Sequence, residues 1–280
     1  MTYQPFIGVP CAYHLHYHFC FQTKARRTRF SQNGAPQSLA STLESICSNC
    51  KYHLLGFNVE EDRLYCLLSL RPDDVVSVVA RTLKSNMARE FNLQFPDDTR
   101  DRSIWSIGYY VGSVGKASKT SAQRYIDNQG KHRGIRSQVS RELMRWINPR
   151  PPALRAAHVT FDLSYHIVLA TSARTSVFDQ HIAPNLFTAM SVISETKGFY
   201  IERASLLYDH IHMLIKLTPS LSVRACIQEL MAGTWRFMVE RYKGVLKNTG
   251  AYNLWTESFY VSTVGHATTA QVKSFLGRQP

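Results

Sequence analysis

Two stretches of eleven residues, Trp105 to Gly115 (WSIGYYVGSVG) and Trp255 to Gly265 (WTESFYVSTVG), agree at five positions and are mostly similar elsewhere. A chain that repeats itself at an offset of 150 residues must fold as two copies of one unit. The register continues beyond the first block. Ala117 to Gln129 falls on Ala267 to Gln279, with Tyr125 meeting Phe275, and Asp62 to Leu68 (DRLYCLL) falls on Asp209 to Ile215 (DHIHMLI). Arg63 and Tyr65 therefore stand where the second copy has His210 and His212. The openings also correspond: Tyr17-His18 and Tyr165-His166 each lead through an apolar run to Thr-x-Ala-Arg, at Thr23 to Arg26 and Thr171 to Arg174.

A length of 280 residues admits two units of ordinary domain size. The repeat divides the chain into residues 1–130, a basic joining segment 131–156 and residues 157–280. Hydrophobic residues at 44% and charged residues at 19% describe a globular protein, and no apolar run reaches the roughly 18 residues of a membrane helix. The opening Met-Thr-Tyr-Gln-Pro has no charged leader and apolar stretch, so a secreted fate is not expected. Six scattered cysteines fit a reducing interior better than a disulfide scaffold.

A net charge of +13 favours a polyanionic partner, nucleic acid first, because released counterions add to affinity. The excess is concentrated between Lys131 and Arg155, where seven Lys/Arg face the single acid Glu142. A helix over Ser137 to Ile147 is expected there, then the Asn-Pro-Arg-Pro-Pro connector. A solvated linker explains those charges about as well as a DNA-tracking face.

Apolar periodicity gives each repeat the same order of elements. Strands over Tyr13 to Gln22 and His158 to Ala170 lead to helices over Ser38 to Lys51 and Asn185 to Glu195. Hairpins follow (Tyr52 to Val59 with Leu64 to Leu70; Phe199 to Leu207 with Ile211 to Leu217), then helices after Pro72 and Pro219, the latter cappable by Ser222. A last strand, Tyr109 to Ser113 or Phe259 to Thr263, precedes a helix carrying Tyr125 or Phe275. The expected fold class is α+β: two tandem ferredoxin-like βαββαβ units, each an antiparallel sheet with packed helices and a C-terminal helix.

His210 and His212 flank Ile211 on a predicted strand, whose period of two sends both imidazoles to one face. Imidazole pairs suit divalent metals, although an isolated His-x-His is more often structural. Tyr125 and Gln129 are spaced i, i+4 and share a helix face. A phenol becomes a nucleophile only with a base or cation beside it, and with fourteen tyrosines in the chain Tyr125 alone reads as a packing or surface residue. His14-Leu15-His16 and His16-Tyr17-His18 also spell His-x-His but align with the opening strand, which favours packing or DNA contact. Cys47 and Cys50 have half a zinc spacing without a second half, and read as a reduced, helix-borne pair. Trp105 and Trp255 recur at matched positions, which favours a structural role.

Taken together these blocks resemble the HUH single-tyrosine transposases, including the REP-associated tyrosine transposases, nearly throughout and twice over. The marks are Tyr165-His166, the Asp209 to Ile215 block, Ser258-Phe259-Tyr260 with Val264-Gly265, and Arg124-Tyr125-Ile126-Asp127-Asn128-Gln129. The resemblance implies that His210, His212 and Gln129 bind Mg2+ or Mn2+ and that Tyr125 attacks a phosphate of hairpin-bearing single-stranded DNA, giving a 5′-phosphotyrosine. It also implies a cytoplasmic, nucleoid-associated protein of a prokaryotic cell. Members of that family dimerise, often composing a site from histidines of one subunit and the tyrosine helix of the other. Here each repeat lacks what the other keeps. The expectation is a fused pseudo-dimer with one composite site and a degenerate mirror site of Arg63, Tyr65, Phe275 and Gln279, which could still bind DNA through Arg63.

Candidate DNA contacts are Arg124, Lys131, Arg133, Arg136, Trp235 and Arg236, with Trp105, Tyr109 and Tyr110 as further aromatic contributors. Two other readings compete. One is a domesticated binder of hairpin DNA or RNA that does not cleave. The other is a relaxase or replication initiator, whose usual extra helicase or primase regions do not fit in this length.

Overall fold

The computed structural model of the chain describes residues 11–96, 103–128, 142–250 and 253–277. The first repeat forms β1 (Ala12–His14), β2 (His16–Gln22), α1 (Ala35–Cys50), β3 (His53–Glu60), β4 (Arg63–Ser69), α2 (Val76–Gln94), β5 (Tyr109–Val114) and α3 (Lys119–Asp127). A strand β6 (Glu142–Ile147) follows. The second repeat forms β7 (Val159–Asp162), β8 (Ser164–Ala170), α4 (Ile182–Thr196), β9 (Phe199–Leu207), β10 (His210–Leu217), α5 (Val223–Arg241), the short α6 (Lys243–Asn248), β11 (Tyr260–Val264) and α7 (Thr269–Leu276). Within each repeat four strands pair antiparallel in the ferredoxin-like order, β3-β4-β2-β5 and β9-β10-β8-β11.

Strand alternation and helix periodicity build the core as the sequence suggests. Phe19, Phe21, Leu64 and Cys66 point to the layer of α1 and α2, which bury Leu39, Leu43, Leu83 and Met87. Ser222 caps α5, its hydroxyl accepting the Ala225 N–H at 3.2 Å. Trp105 and Trp255 are buried struts: their indoles donate to the Lys84 carbonyl at 3.0 Å and the Thr234 hydroxyl at 2.7 Å.

Two expectations are corrected. Each opening strand is broken at one buried leucine, Leu15 or Leu163, where the chain passes from one sheet into the other. β1 consequently lies parallel to β11, and β7 parallel to β5, so each antiparallel sheet carries a parallel edge strand from the other repeat. The second correction concerns the joining segment. Glu142–Ile147, expected at the end of a helix, instead extends the second sheet antiparallel to β9. Pairing with that open edge and stacking Trp146 on Phe187, with ring centroids 6.0 Å apart, outweigh the local helical preference. Residues 137–141 of the expected helix lie outside the described residues.

The crossing is fastened by one buried hydroxyl from each repeat. Thr263 Oγ1 accepts the His16 N–H at 2.9 Å and donates to the Val114 carbonyl at 2.5 Å. Ser113 Oγ accepts the Ser164 N–H at 2.9 Å and donates to the Val264 carbonyl at 2.6 Å. Backbones touch immediately beyond: a Cβ on Gly115 would sit 2.2 Å from the Thr263 carbonyl oxygen, and one on Gly265 1.9 Å from that of Ser113. Each chain then enters the opposite unit, the Lys119 N–H donating to Gly265 O and the Thr269 N–H to Gly115 O, both at 2.8 Å.

Both terminal helices therefore land on the other repeat's sheet. Ala122 and Ile126 of α3 pack on Leu214 and Val264, while Val272 and Leu276 of α7 pack on Leu67 and Val114. Gly265→Ala is expected to destabilise the protein by about 2–4 kcal/mol, because the new methyl meets only backbone. Gly244→Ala, with open space around it, should change stability by no more than about 1 kcal/mol. Urea unfolding of the two variants decides; similar losses would show that the crossing is not sterically tight.

Candidate active site

The exchange of terminal helices brings Tyr125 to the second repeat's histidines. On β10 the period of two buries Ile211, Met213 and Ile215 in the core and turns His210, His212 and Leu214 to the face on which α3 lies. Helix α3 is capped by Ser118, whose hydroxyl accepts the Ser121 N–H at 3.2 Å. Polar contacts fix its position on β9: Lys119 to Glu202 at 2.7 Å, Gln123 to Glu202 at 2.6 Å, and Arg203 to Asp127 at 2.6 Å. The Tyr125 ring, 44% exposed, stands edge-on to His212 and His166 with centroids 5.6 and 5.8 Å away. The rings of His210 and His212 are 5.2 Å apart. A cleft of about 680 Å³ opens here, lined among others by His14, Lys116, Tyr125, His166, His212 and Tyr260.

Hydrogen bonding orients both imidazoles of the pair. His210 Nδ1 lies 2.5 Å from the buried Asp209 carboxylate, which Arg174 holds from its other oxygen at 2.9 Å. His212 Nδ1 lies 3.2 Å from His166 Nε2. If Nδ1 carries the proton in each, the Nε2 atoms are the ring nitrogens free to accept or to ligate. That is the tautomer a metal-binding histidine needs, backed by a carboxylate in one case and an imidazole in the other. Burial first, and then His166, His210 and Arg174, push His212 down to about 3; burial brings His166 to about 4. Both rings are therefore neutral near pH 7. The pair fits two ligands of a divalent ion, although among the described residues no three His, Cys, Asp or Glu side chains form a complete metal group.

The mirror arrangement is also assembled. Tyr65 stands edge-on to Phe275 at 5.9 Å and stacks on His18 at 5.9 Å, and Arg63 binds Asp62 at 3.1 Å. Other candidates lie apart. Arg124 is exposed on α3, beside Tyr125 in sequence. Trp235 and Arg236 belong to α5, in the helical layer on the opposite side of the sheet from His212; Trp235 packs on the core and Arg236 lines a groove with α4. Gln129, Gln279, Lys131, Arg133 and Arg136 lie outside the described residues. His14 and His16 are buried with rings 3.9 Å apart, His16 bonded to Thr269 at 3.1 Å, and all six cysteines are free thiols.

Sequence reasoning gave no role to His166, Asp209, Arg174 or the α3 ion pairs. His166 had a signal, since Tyr-His recurs at Tyr17-His18. The ion pairs had none, because they join residues about 80 apart across the exchange.

Burial also pushes His16 down to about 3. Unfolded, His16, His166 and His212 titrate near 6.5, so below that pH the unfolded chain binds protons that the fold refuses. Stability should therefore fall as pH drops from 6.5 towards 4, with uptake on unfolding approaching about three protons near pH 5. Urea unfolding in the presence of a chelator measures this. A flat profile would mean that the three rings are not held neutral.

The sequence signature described as "Transposase IS200 like" matches residues 11–129 and again 159–279. The ISDra2 transposase TnpA of Deinococcus radiodurans is 24% identical over 119 residues, covering 42% of this chain and 85% of that protein. The transposase for insertion sequence element IS200 of Salmonella typhimurium is 27% identical over 123 residues, covering 44% and 80%. Among solved structures, a transposase from Deinococcus radiodurans R1 matches at 27% identity and a TM-score of 0.36, covering 44% of this chain and 95% of that one. A REP-associated tyrosine transposase bound to a REP hairpin matches at 15% identity and a TM-score of 0.30, covering 48% and 76%. With both repeats matched, over more than four fifths of its length, this chain belongs to the IS200-like transposase family as two tandem units.

Proposed function

We propose that the chain is a metal-dependent endonuclease and strand transferase acting on single-stranded, hairpin-bearing DNA at one composite site. The observation that carries this reading is the meeting of Tyr125, from the first repeat, with His212, from the second, at 5.6 Å between ring centroids. The organisation proposed is 1–130 as the tyrosine unit, 131–156 as a basic joining segment and 157–280 as the histidine unit. Mg2+ or Mn2+ held by His210 and His212, with Gln129 as a neutral oxygen ligand, would polarise the scissile phosphate and offset the charge developing on it.

The phenol oxygen of Tyr125 attacks phosphorus as the bond from phosphorus to O3′ breaks. The phenol proton is lost to solvent, and the departing oxygen takes one up to become a free 3′-OH. A 5′-phosphotyrosine remains. One phosphodiester has been exchanged for another, so attack by a 3′-OH in the reverse sense joins strands and restores the phenol without an external energy source. His166 orients His212, and Asp209 with Arg174 orients His210. The contacts of α3 to Glu202 and Arg203 hold the nucleophile over the pair.

Incubation of labelled hairpin-bearing single-stranded DNA with Mn2+ should give a protease-sensitive covalent adduct. Tyr125→Phe is expected to abolish it with DNA binding retained. His210→Ala and His212→Ala should each lower Mn2+ affinity and cleavage by about 100-fold or more. Phe275→Tyr alone should leave the adduct at one per chain, since Arg63 and Tyr65 provide no imidazoles. Intact binding with no adduct would instead support a binder of hairpin nucleic acid that does not cleave.

A further inference from the structure

The surface related to the Tyr125 site by the pseudo-twofold carries a different chemistry and keeps two of its rings exposed. Where the first has imidazole, imidazole and phenol (His210, His212, Tyr125), the second has guanidinium, phenol and phenyl (Arg63, Tyr65, Phe275). Metal ligands and nucleophile are gone; in their place are flat aromatic faces and a permanent positive charge. The rings form a continuous path: Phe275 edge-on to Tyr65, Tyr65 stacked on His18 with planes 10° apart, and His18 edge-on to Tyr110 at 6.2 Å.

Packing alone does not account for this path. An aromatic cluster that merely filled a vacated site would be buried, yet Phe275 is 44% exposed and Tyr110 39%. Nor is Phe275 needed to hold its helix, because Val272 and Leu276 already seat α7 on Leu67 and Val114. On β5, Gly112 leaves room for Tyr110, whose phenol oxygen lies 2.6 Å from where a Cβ would be. Arg63 is partly exposed at the border, held by Asp62 and by the Tyr65 phenol.

We propose that this aromatic surface binds unpaired nucleotides of single-stranded DNA, a base stacking on the exposed rings of Phe275 and Tyr110 while Arg63 meets a phosphate. The inference rests on reading the chain as acting on single-stranded DNA. Bases within a duplex already have both faces stacked, so exposed ring faces select unpaired ones, and they accept any base because each has a π face. One site then cuts a strand while its twin holds a segment uncut.

The test uses the full chain and an oligothymidylate carrying a single photoactivatable 5-iododeoxyuridine. Cross-links should map to peptides containing Tyr65, Tyr110 or Phe275 and disappear in Phe275→Ser. By fluorescence anisotropy, Phe275→Ser should weaken binding about fivefold or more, and Phe275→Trp should retain it. Arg63→Gln should reduce the slope of log affinity against log salt by about 0.7, which Phe275→Ser should leave unchanged. Thermal melting within a few degrees of the parent excludes misfolding. Unchanged affinity and salt slope in these variants, with no cross-link to these peptides, would overturn the proposal. If the Tyr125 adduct still formed, the proposed function would stand. Aromatic-dependent binding without an adduct would uphold this inference and sink the catalytic reading, and a chain that neither bound nor reacted would sink both.

Discussion

Two buried hydroxyls, those of Ser113 and Thr263, sit where the backbones of the repeats cross, and each ties an amide of one strand to a carbonyl of another. A hydrogen bond of this kind contributes about 1 kcal/mol net, but a buried amide left without its partner costs about 1–3 kcal/mol, so the crossing is strongly specified. The direction of both terminal helices follows from it. Past Gly115 and Gly265 the chains have exchanged sides, and the first helical N–H of each is already bonded to the other repeat. Without that exchange, Tyr125 would lie over its own sheet, where Tyr65 occupies the position of His212.

The two docked helices are held by different means. On α3, Lys119, Gln123 and Asp127 meet Glu202 and Arg203 through partly buried polar contacts. At the matching positions of the other pair stand Thr269, Lys273 and Gly277 against Leu55 and Gly56, and α7 is seated mainly by apolar contact, Leu276 reaching within 3.5 Å of the Gly56 Cβ position, with one polar contact from Thr269 to His16 at its start. Partners have changed together on both sides of the interface. Directional polar contacts fix the rotation of a helix better than apolar packing does, and rotation decides whether the Tyr125 hydroxyl faces the imidazoles. The helix carrying the inert Phe275 has no such requirement.

Much of this was legible in the sequence, because periodicity and repetition report local and symmetric features. The ferredoxin-like order and the shared face of His210 and His212 rest on such patterns, while the expected pairing of Tyr125 with the other repeat's histidines came with the family resemblance. The strand exchange was not legible. A break at one leucine leaves an apolar strand pattern intact, and nothing local tells Ala12–His14 that its partner lies some 250 residues away. β6 departs from the expected helix because a short amphipathic run such as Glu142–Ile147 satisfies either period, and only the open edge of β9 decides. His166 carried its signal in the repeat itself, but its role depends on a 3.2 Å contact to another strand.

Fusion of the repeats changes what a single substitution can do. In a symmetric dimer of identical chains, replacing a metal-binding histidine or the tyrosine damages both sites at once. In this chain Arg63, Tyr65 and Phe275 stand on one side of the pseudo-twofold and leave His210, His212 and Tyr125 on the other intact. The first repeat cannot simply be shed, since it also supplies Tyr125, α3 and the edge strand β1 to the second repeat's sheet. The residues around Arg63, Tyr65 and Phe275 are thus kept in place by the fold, whatever chemistry they carry.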